Sequence, residues 1–295
     1  MKLRQRIEVA DRLGECVLWD AREYALWWTD IEGRVLHRLD WQSGSLAHYP
    51  TPMRLASFAF VEGRRDLLAA FDQGIALFDP LSGTRGPWHP AEELEDGFRL
   101  NDGRVDRQGR FWVGSMAEAD GPSIAKLYRF DPRQCTTHLA GLGIANGLAF
   151  SADGRLCYFA DSRARTIWRF AIDPDTGILS DRMVFARSPG AACPDGATVD
   201  SAGYLWSAQW GGGCVIRYAP DGRVDRILDV PVSQPTCVAF GGPNLDLLFV
   251  TSAQSGLKHS ETGAGDLFVY NVGVRGIEES RFRIGTWLET GRSRE

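Results

Sequence analysis

The 295-residue chain contains no apolar stretch approaching the length of a membrane span, so a helical spanning protein is not expected. Its opening, MKLRQRIEVADR, carries charge where a secretory leader needs an apolar core, which points to a cytoplasmic protein. Cys16, Cys135, Cys157, Cys193, Cys214 and Cys237 include no C-x-x-C pair and read as small reduced core residues. His37, His48, His89, His138 and His259 share no common spacing and pair with no evident Ser or Cys. A histidine triad or histidine metal site is therefore not expected, and each reads as a surface or strand-edge residue. The formal net charge is -5 with Lys and Arg scattered, which leaves no basic footprint for nucleic acid. There is no Ser/Gly tract, Pro-rich run or block of like charge to act as a linker, so residues 1–295 are read as one domain, a monomer or weak homodimer. Two motifs fail on inspection. The segment 141-GLGIANG-147 lacks the third glycine and following helix of a dinucleotide site, and 173-DPDTG-177 lacks the distal acid of a calcium loop and reads as a hairpin turn.

What is present is a repeat. Apolar runs recur at 25-ALWWTD-30, 67-LLAAFD-72, 110-RFWVGS-115, 156-LCYFAD-161, 204-YLWSAQ-209 and 247-LLFVTS-252, at intervals of roughly 42 to 48 residues, the length of a propeller blade. A second apolar segment follows each run and often ends in Asp, Pro or Gly, as in 126-KLYRFDP-132 and 214-CVIRYAPDG-222. The alternation has period two, with Arg129 and Arg169 interrupting an apolar face, and long helical windows are absent. The pattern predicts an all-β fold, a six-bladed β-propeller of four-stranded antiparallel blades. Closing the ring requires the chain ends to meet, and Leu3 to Val9 and 281-RFRIGTW-287 are both strand-like enough to share a blade.

Ahead of each run stands a polar residue in the same place: Glu15, Ser57, Asn101, Asn146, Asp195 and Thr236. In a closed ring these positions converge on the axis, and Glu15, Asn101, Asn146 and Asp195 would then offer oxygen ligands to a hard cation. Singly, 101-NDG-103, 146-NG-147 and 195-DG-196 are also good tight turns. The common register favours the site, because two carboxylates at one axis would repel each other without a cation.

The segments 13-LGECVLWD-20, 99-RLNDGRVDRQGRFWVGSM-116, 144-IANGLAFSADGRLCYFADS-162 and 194-PDGATVDSAGYLWSAQWGGG-213 resemble the SMP-30/gluconolactonase/regucalcin-like family of six-bladed propeller lactonases. The resemblance implies one divalent metal held by Glu15, Asn146 and Asp195, with Arg99 and Asn101 facing the substrate and Glu118 contacting sugar hydroxyls. It departs from the family at Cys16 and Val17, where a small residue and Pro usually follow the Glu, so access or metal preference is expected to differ there. Calcium is the first candidate for the ion; magnesium, manganese, zinc and iron(II) also suit such a set.

The chemistry implied is hydrolysis of an aldono-1,4- or 1,5-lactone to the aldonic acid in carbohydrate breakdown. The metal would polarise the carbonyl, Asp195 would act as general base on water, and Arg99 would bond the polyol edge. Two alternatives stand beside it: a metal-dependent hydrolase of non-sugar lactones or organophosphates, and a calcium-binding protein without turnover.

Overall fold

The computed structural model describes residues 1–91, 94–119, 123–131 and 134–285. The side chain of Cys135 and residues Thr286 and Trp287 lie outside that description. The secondary structure described is β throughout. After β1 (Lys2–Ile7), the first blade comprises β2 (Gly14–Asp20), β3 (Ala25–Asp30), β4 (Val35–Asp40) and β5 (Leu46–Pro50). The second is built from β6 (Leu55–Phe60), β7 (Leu67–Phe71), β8 (Gly74–Asp79), β9 (Thr84–Arg85) and β10 (His89–Pro90). The third holds β11 (Phe98–Val105), β12 (Phe111–Ala117), β13 (Ala125–Asp131) and β14 (Gln134–Leu142), and the fourth β15 (Ala145–Phe150), β16 (Leu156–Asp161), β17 (Thr166–Ile172) and β18 (Leu179–Arg187). The fifth holds β19 (Cys193–Val199), β20 (Leu205–Trp210), β21 (Cys214–Tyr218) and β22 (Val224–Asp229). The sixth combines β23 (Pro235–Gly241), β24 (Leu247–Ser252) and β25 (Leu267–Asn271) with β1 from the other end of the chain.

This is the expected six-bladed β-propeller, each blade an antiparallel meander. One blade departs from four full strands. In the second, the outer position is divided between β9 and β10, both paired with β8. The interruption falls at Gly86-Pro87, where proline supplies no N–H to the ladder.

Ring closure differs from the pairing of Leu3–Val9 with 281–287. Strand β1 instead runs antiparallel to β25, from Lys2 opposite Asn271 to Ile7 opposite Leu267. The C-terminal segment makes a parallel bridge from Phe282 to Val61 and an antiparallel one from Gly276 to Asp200. Both contacts lie just past the C-terminal ends of innermost strands, so residues 276–283 cross the floor of the channel. There Phe282 is fully buried against Val61, Phe111 and Phe130, which explains its strand-like pattern without a place in a blade.

Blades pack face to face, so strands are buried on both sides and the alternation seen in sequence is incomplete in space. Arg129 is buried, donates to the Thr176 carbonyl at 2.6 Å and lies over the Trp112 ring. The turn at 173-DPDTG-177 is a local one, with Asp173 Oδ1 accepting the Thr176 N–H at 2.7 Å. Cys16, Cys157, Cys214 and Cys237 are buried free thiols and Cys193 is partly exposed. His37 corrects the reading of the histidines as surface residues: it is 4 % exposed, stacks on Trp28 and lies 2.9 Å from Asp11 through Nε2. Its Nδ1 meets Nδ1 of exposed His48 at 2.8 Å. No Ser or Cys takes part in the hydrogen bonds described for this pair.

Candidate active site

All six polar anchors sit on the innermost strands, and every one of those strands is irregular at that point. The pairing register shifts between Glu15 and Leu18, Leu55 and Ser57, Leu100 and Gly103, Asn146 and Ala149, Pro194 and Ala197, and Pro235 and Val238. The NDG, NG and DG pairs are thus bulges inside strands, not turns entering them. A bulge inserts an extra residue and re-aims a side chain, here at the same level in each blade. Residues following two anchors take left-handed backbone, Cys16 at φ 47° and Gly147 at φ 59°.

The anchors then divide by what their side chains bond. Thr236 Oγ1 donates to the Gly14 carbonyl, Ser57 Oγ to the Asn101 carbonyl at 2.9 Å, and Asn101 Nδ2 to the Ala145 carbonyl at 3.0 Å. Each of these ties one blade to the next. Glu15, Asn146 and Asp195 remain as the set that converges electrostatically. Desolvation pushes Glu15 well above the usual carboxylate range, and the charges of Asp195 and Asp102 raise it further. Asp195 is pushed up in the same way by burial and Asp102, against the opposing hydrogen bonds of the Gly196 N–H and the Asn146 amide. Asn146 Nδ2 also donates to Ser162 Oγ at 3.2 Å, and that hydroxyl donates to the Pro194 carbonyl at 2.7 Å. Its Oδ1 is buried with no partner.

A buried amide oxygen without a donor, beside two carboxylates that repel each other, fits a divalent cation by the hard-oxygen character of the set. Among the described residues no three His, Cys, Asp or Glu side chains group to hold an ion, so the candidate centre needs Asn146 as its third donor. The Cys16 N–H donates to Glu15 Oε2 at 3.2 Å, but its thiol takes no part: Sγ accepts the Phe58 N–H at 3.3 Å and lies 3.6 Å from the Phe58 carbonyl in the next blade. The departure at Cys16 and Val17 therefore alters a contact between blades, with Val17 fully buried.

The three residues assigned to substrate occupy different settings. Arg99, 5 % exposed, donates from Nη1 to the Leu100 carbonyl at 2.9 Å and to Asn101 Oδ1 at 2.8 Å, and it responds to the charge of Glu15. Asn101 is engaged at both ends of its amide, by Arg99 and by Ala145. Glu118 stands outside them with its side chain 39 % exposed, 2.5 Å from Arg54 Nη1.

Other neighbours were not legible beforehand. Asp102 is buried below the anchors, with Oδ2 accepting the Leu148 N–H at 2.8 Å, and its position beside Asn101 in the NDG segment was the available signal. Beneath it, buried Arg104 bonds Glu279 Oε1 and the Ala197 carbonyl, both at 2.8 Å. Glu32 and Arg54 lie in loops that carry no repeat signature, and Asp72, which closes the run 67-LLAAFD-72, was read only as part of the repeat.

The sequence profile of the SMP-30/Gluconolactonase/LRE-like region matches residues 13–254. The chain belongs to this family. SMP-30/gluconolactonase-like relatives include a pentonolactonase from Haloferax volcanii, 38% identical over 95% of this chain and 98% of its own. An L-arabinolactonase from Azospirillum brasilense is 36% identical over 93% of each chain. Among solved structures, a calcium-binding protein, regucalcin, from Agrobacterium tumefaciens superposes with a TM-score of 0.90 at 30% identity, covering 95% of this chain and 98% of that one.

Proposed function

We propose that this protein is a metal-dependent sugar lactonase that opens an aldono-1,4- or 1,5-lactone to the aldonic acid, with Glu15, Asn146 and Asp195 as metal ligands and calcium as the first candidate ion. The observation that carries this reading is the partnerless Asn146 Oδ1 beside Asp195, which with Glu15 makes a buried pair of carboxylates of raised pKa, one blade away from a buried arginine. Two relatives named for lactone hydrolysis, at 36% identity or above over nearly the whole chain, support it.

When bound, the ion supplies Lewis acidity to the lactone carbonyl. Asp195 is the base that takes a proton from the attacking water; its carboxyl is ionised once a cation offsets the burial that otherwise raises it. The Gly196 N–H keeps Asp195 in place by donating to its Oδ1 at 3.1 Å, while Ser162 fixes the Asn146 amide by accepting from Nδ2 at 3.2 Å. Arg99, already anchored through Nη1, directs its remaining N–H groups to substrate oxygens. Asn101 orients Arg99 through the 2.8 Å contact as well as bridging blades.

Initial rates on a panel of aldonolactones, with each candidate metal and the spontaneous opening subtracted, test the proposal. Turnover above background that disappears on chelation is the expected result. Stoichiometric ion binding with no turnover on any lactone would overturn it in favour of a calcium-binding protein, a reading that the regucalcin likeness makes the natural alternative.

A further inference from the structure

Arg54 stands in the loop between β5 and β6, and its guanidinium gathers three carboxylates from three blades. Nη1 lies 2.5 Å from Glu118 Oε1 and 3.5 Å from Glu32 Oε1, and Nε lies 3.3 Å from Asp72 Oδ2. Its root is fixed as well, because the Arg54 carbonyl accepts the Asp72 N–H at 3.0 Å. Glu32, Asp72 and Glu118 follow the second strands of blades one, two and three. Those strand ends pair with Gly14, Leu55 and Phe98, which puts the cluster at the same end of the channel as Glu15. Arg99 pairs with Met116 and the Glu118 N–H donates to the Gly97 carbonyl at 2.9 Å, so Arg99 and Glu118 are diagonal neighbours on one face of adjacent strands, and Arg99 feels the charges of the cluster and of Glu15.

Glu118 is a flexible side chain at the exposed end of a strand, and a free Glu there would lose rotamer entropy on gripping a ligand. Arg54 removes that freedom. It occupies Oε1 and holds the carboxyl below its ordinary range, so Glu118 is an ionised acceptor with Oε2 available. Arg99 commits Nη1 to Leu100 and Asn101, and its Nη2 and Nε make no hydrogen bond among the described residues. An acceptor and a donor held side by side match neighbouring hydroxyls, one donating and one accepting.

We propose that Arg54 is a positioning residue for substrate recognition, pinning Glu118 beside Arg99 so that the two read a vicinal diol on the lactone. This rests on the lactonase reading and on Arg99 and Glu118 as its hydroxyl contacts; what it adds is that Arg54 sets the discrimination of lactones with adjacent free hydroxyls from their deoxy counterparts. A site whose polar groups are left unpaired by the wrong ligand discriminates strongly.

The test compares wild type, Arg54→Met, Arg54→Lys, Glu118→Gln and the Arg54→Met/Glu118→Gln double variant, each confirmed to keep its bound ion. For a polyhydroxylated aldonolactone, Arg54→Met is expected to raise KM about tenfold with kcat within about twofold, while KM for γ-butyrolactone stays unchanged. Glu118→Gln should do the same, the double variant should add little to either, and Arg54→Lys should recover part of the loss. Equal KM shifts on both lactones, a loss confined to kcat, or multiplying effects in the double variant would overturn the assignment. Xylitol binding, measured by calorimetry, separates this inference from the lactonase reading. If wild type opens no lactone but binds xylitol, and Arg54→Met weakens that binding, the catalytic reading fails and the role of Arg54 stands. Xylitol affinity unaffected by Arg54→Met, or absent in wild type, would refute the role of Arg54 whatever the turnover.

Discussion

On the proposed reading Asp195 has two duties, holding an ion and accepting a proton, and these can be pulled apart. Asp195→Asn retains an oxygen donor and the shape of the bulge but removes the base. Metal content should fall only in part while kcat drops by about 10²-fold or more, the scale of a general-base contribution. Metal analysis beside initial rates checks it, and a parallel loss of both would show Asp195 to be a ligand alone. His138 gives a separate prediction, about stability. Burial first, then the charges of Arg129 and Arg110, depress its pKa from 6.5 to about 4, with its ring edge-on to Trp112 at 4.7 Å. The folded ring therefore stays neutral where the unfolded one is protonated, so its stability contribution is complete above pH 6.5 and declines as pH falls toward 4. For a ring that keeps part of its solvent contact the loss should be discounted to about 1 to 2 kcal/mol. Denaturant titrations at pH 7 and pH 5 should show a smaller difference between the two pH values in His138→Gln than in wild type.

At the scale of strands, the repeat was legible because each blade must bury both faces and close each hairpin with the same turn chemistry. The six anchors were legible for the same reason. Their division into candidate ligands and staples was not: Ser57, Asn101 and Thr236 bond carbonyls of the next blade, and no pattern within one strand reveals a neighbour's backbone. Nor could an Asn-Gly or Asp-Gly pair announce a bulge, since left-handed backbone serves turns and bulges alike, and Cys16 adopts it without being glycine. The floor was missed because it belongs to no repeat. Phe282 shows what it contributes, being fully buried where the terminal segment bridges Val61. Phe282→Ala should cost about 3 to 5 kcal/mol by the cavity it leaves. Thermal melts would check this, with ion stoichiometry expected to survive because the anchors occupy the other end of the innermost strands.

For the whole molecule, the candidate ligands come from blades one, four and five, so the centre exists only while the ring is closed. Closure is made within blade six, where β1 lies against β25 before the chain enters blade one, and Asp266 gathers the chain around it. Its Oδ1 accepts the N–H groups of Val9 and Ala10, both at 3.0 Å, and its Oδ2 meets Arg6 Nε at 2.5 Å. Asp266 is 3 % exposed and stands far from Glu15 in sequence, yet it fixes the segment that leads into β2. Asp266→Ala strands three donors at once and should destabilise the fold by about 2 to 3 kcal/mol. An ion that binds only the closed ring stabilises it by mass action, so calcium should raise the Tm of wild type and chelation should lower it. By the same linkage, loosening the clasp should weaken calcium binding although no ligand has changed. Calcium titrations and melts of Asp266→Ala, with Glu15→Gln as a ligand control, measure both effects. Calcium affinity unchanged in Asp266→Ala would mean that the ligands are preorganised by the packing of blades alone, and that closure by β1 serves stability without reaching the site.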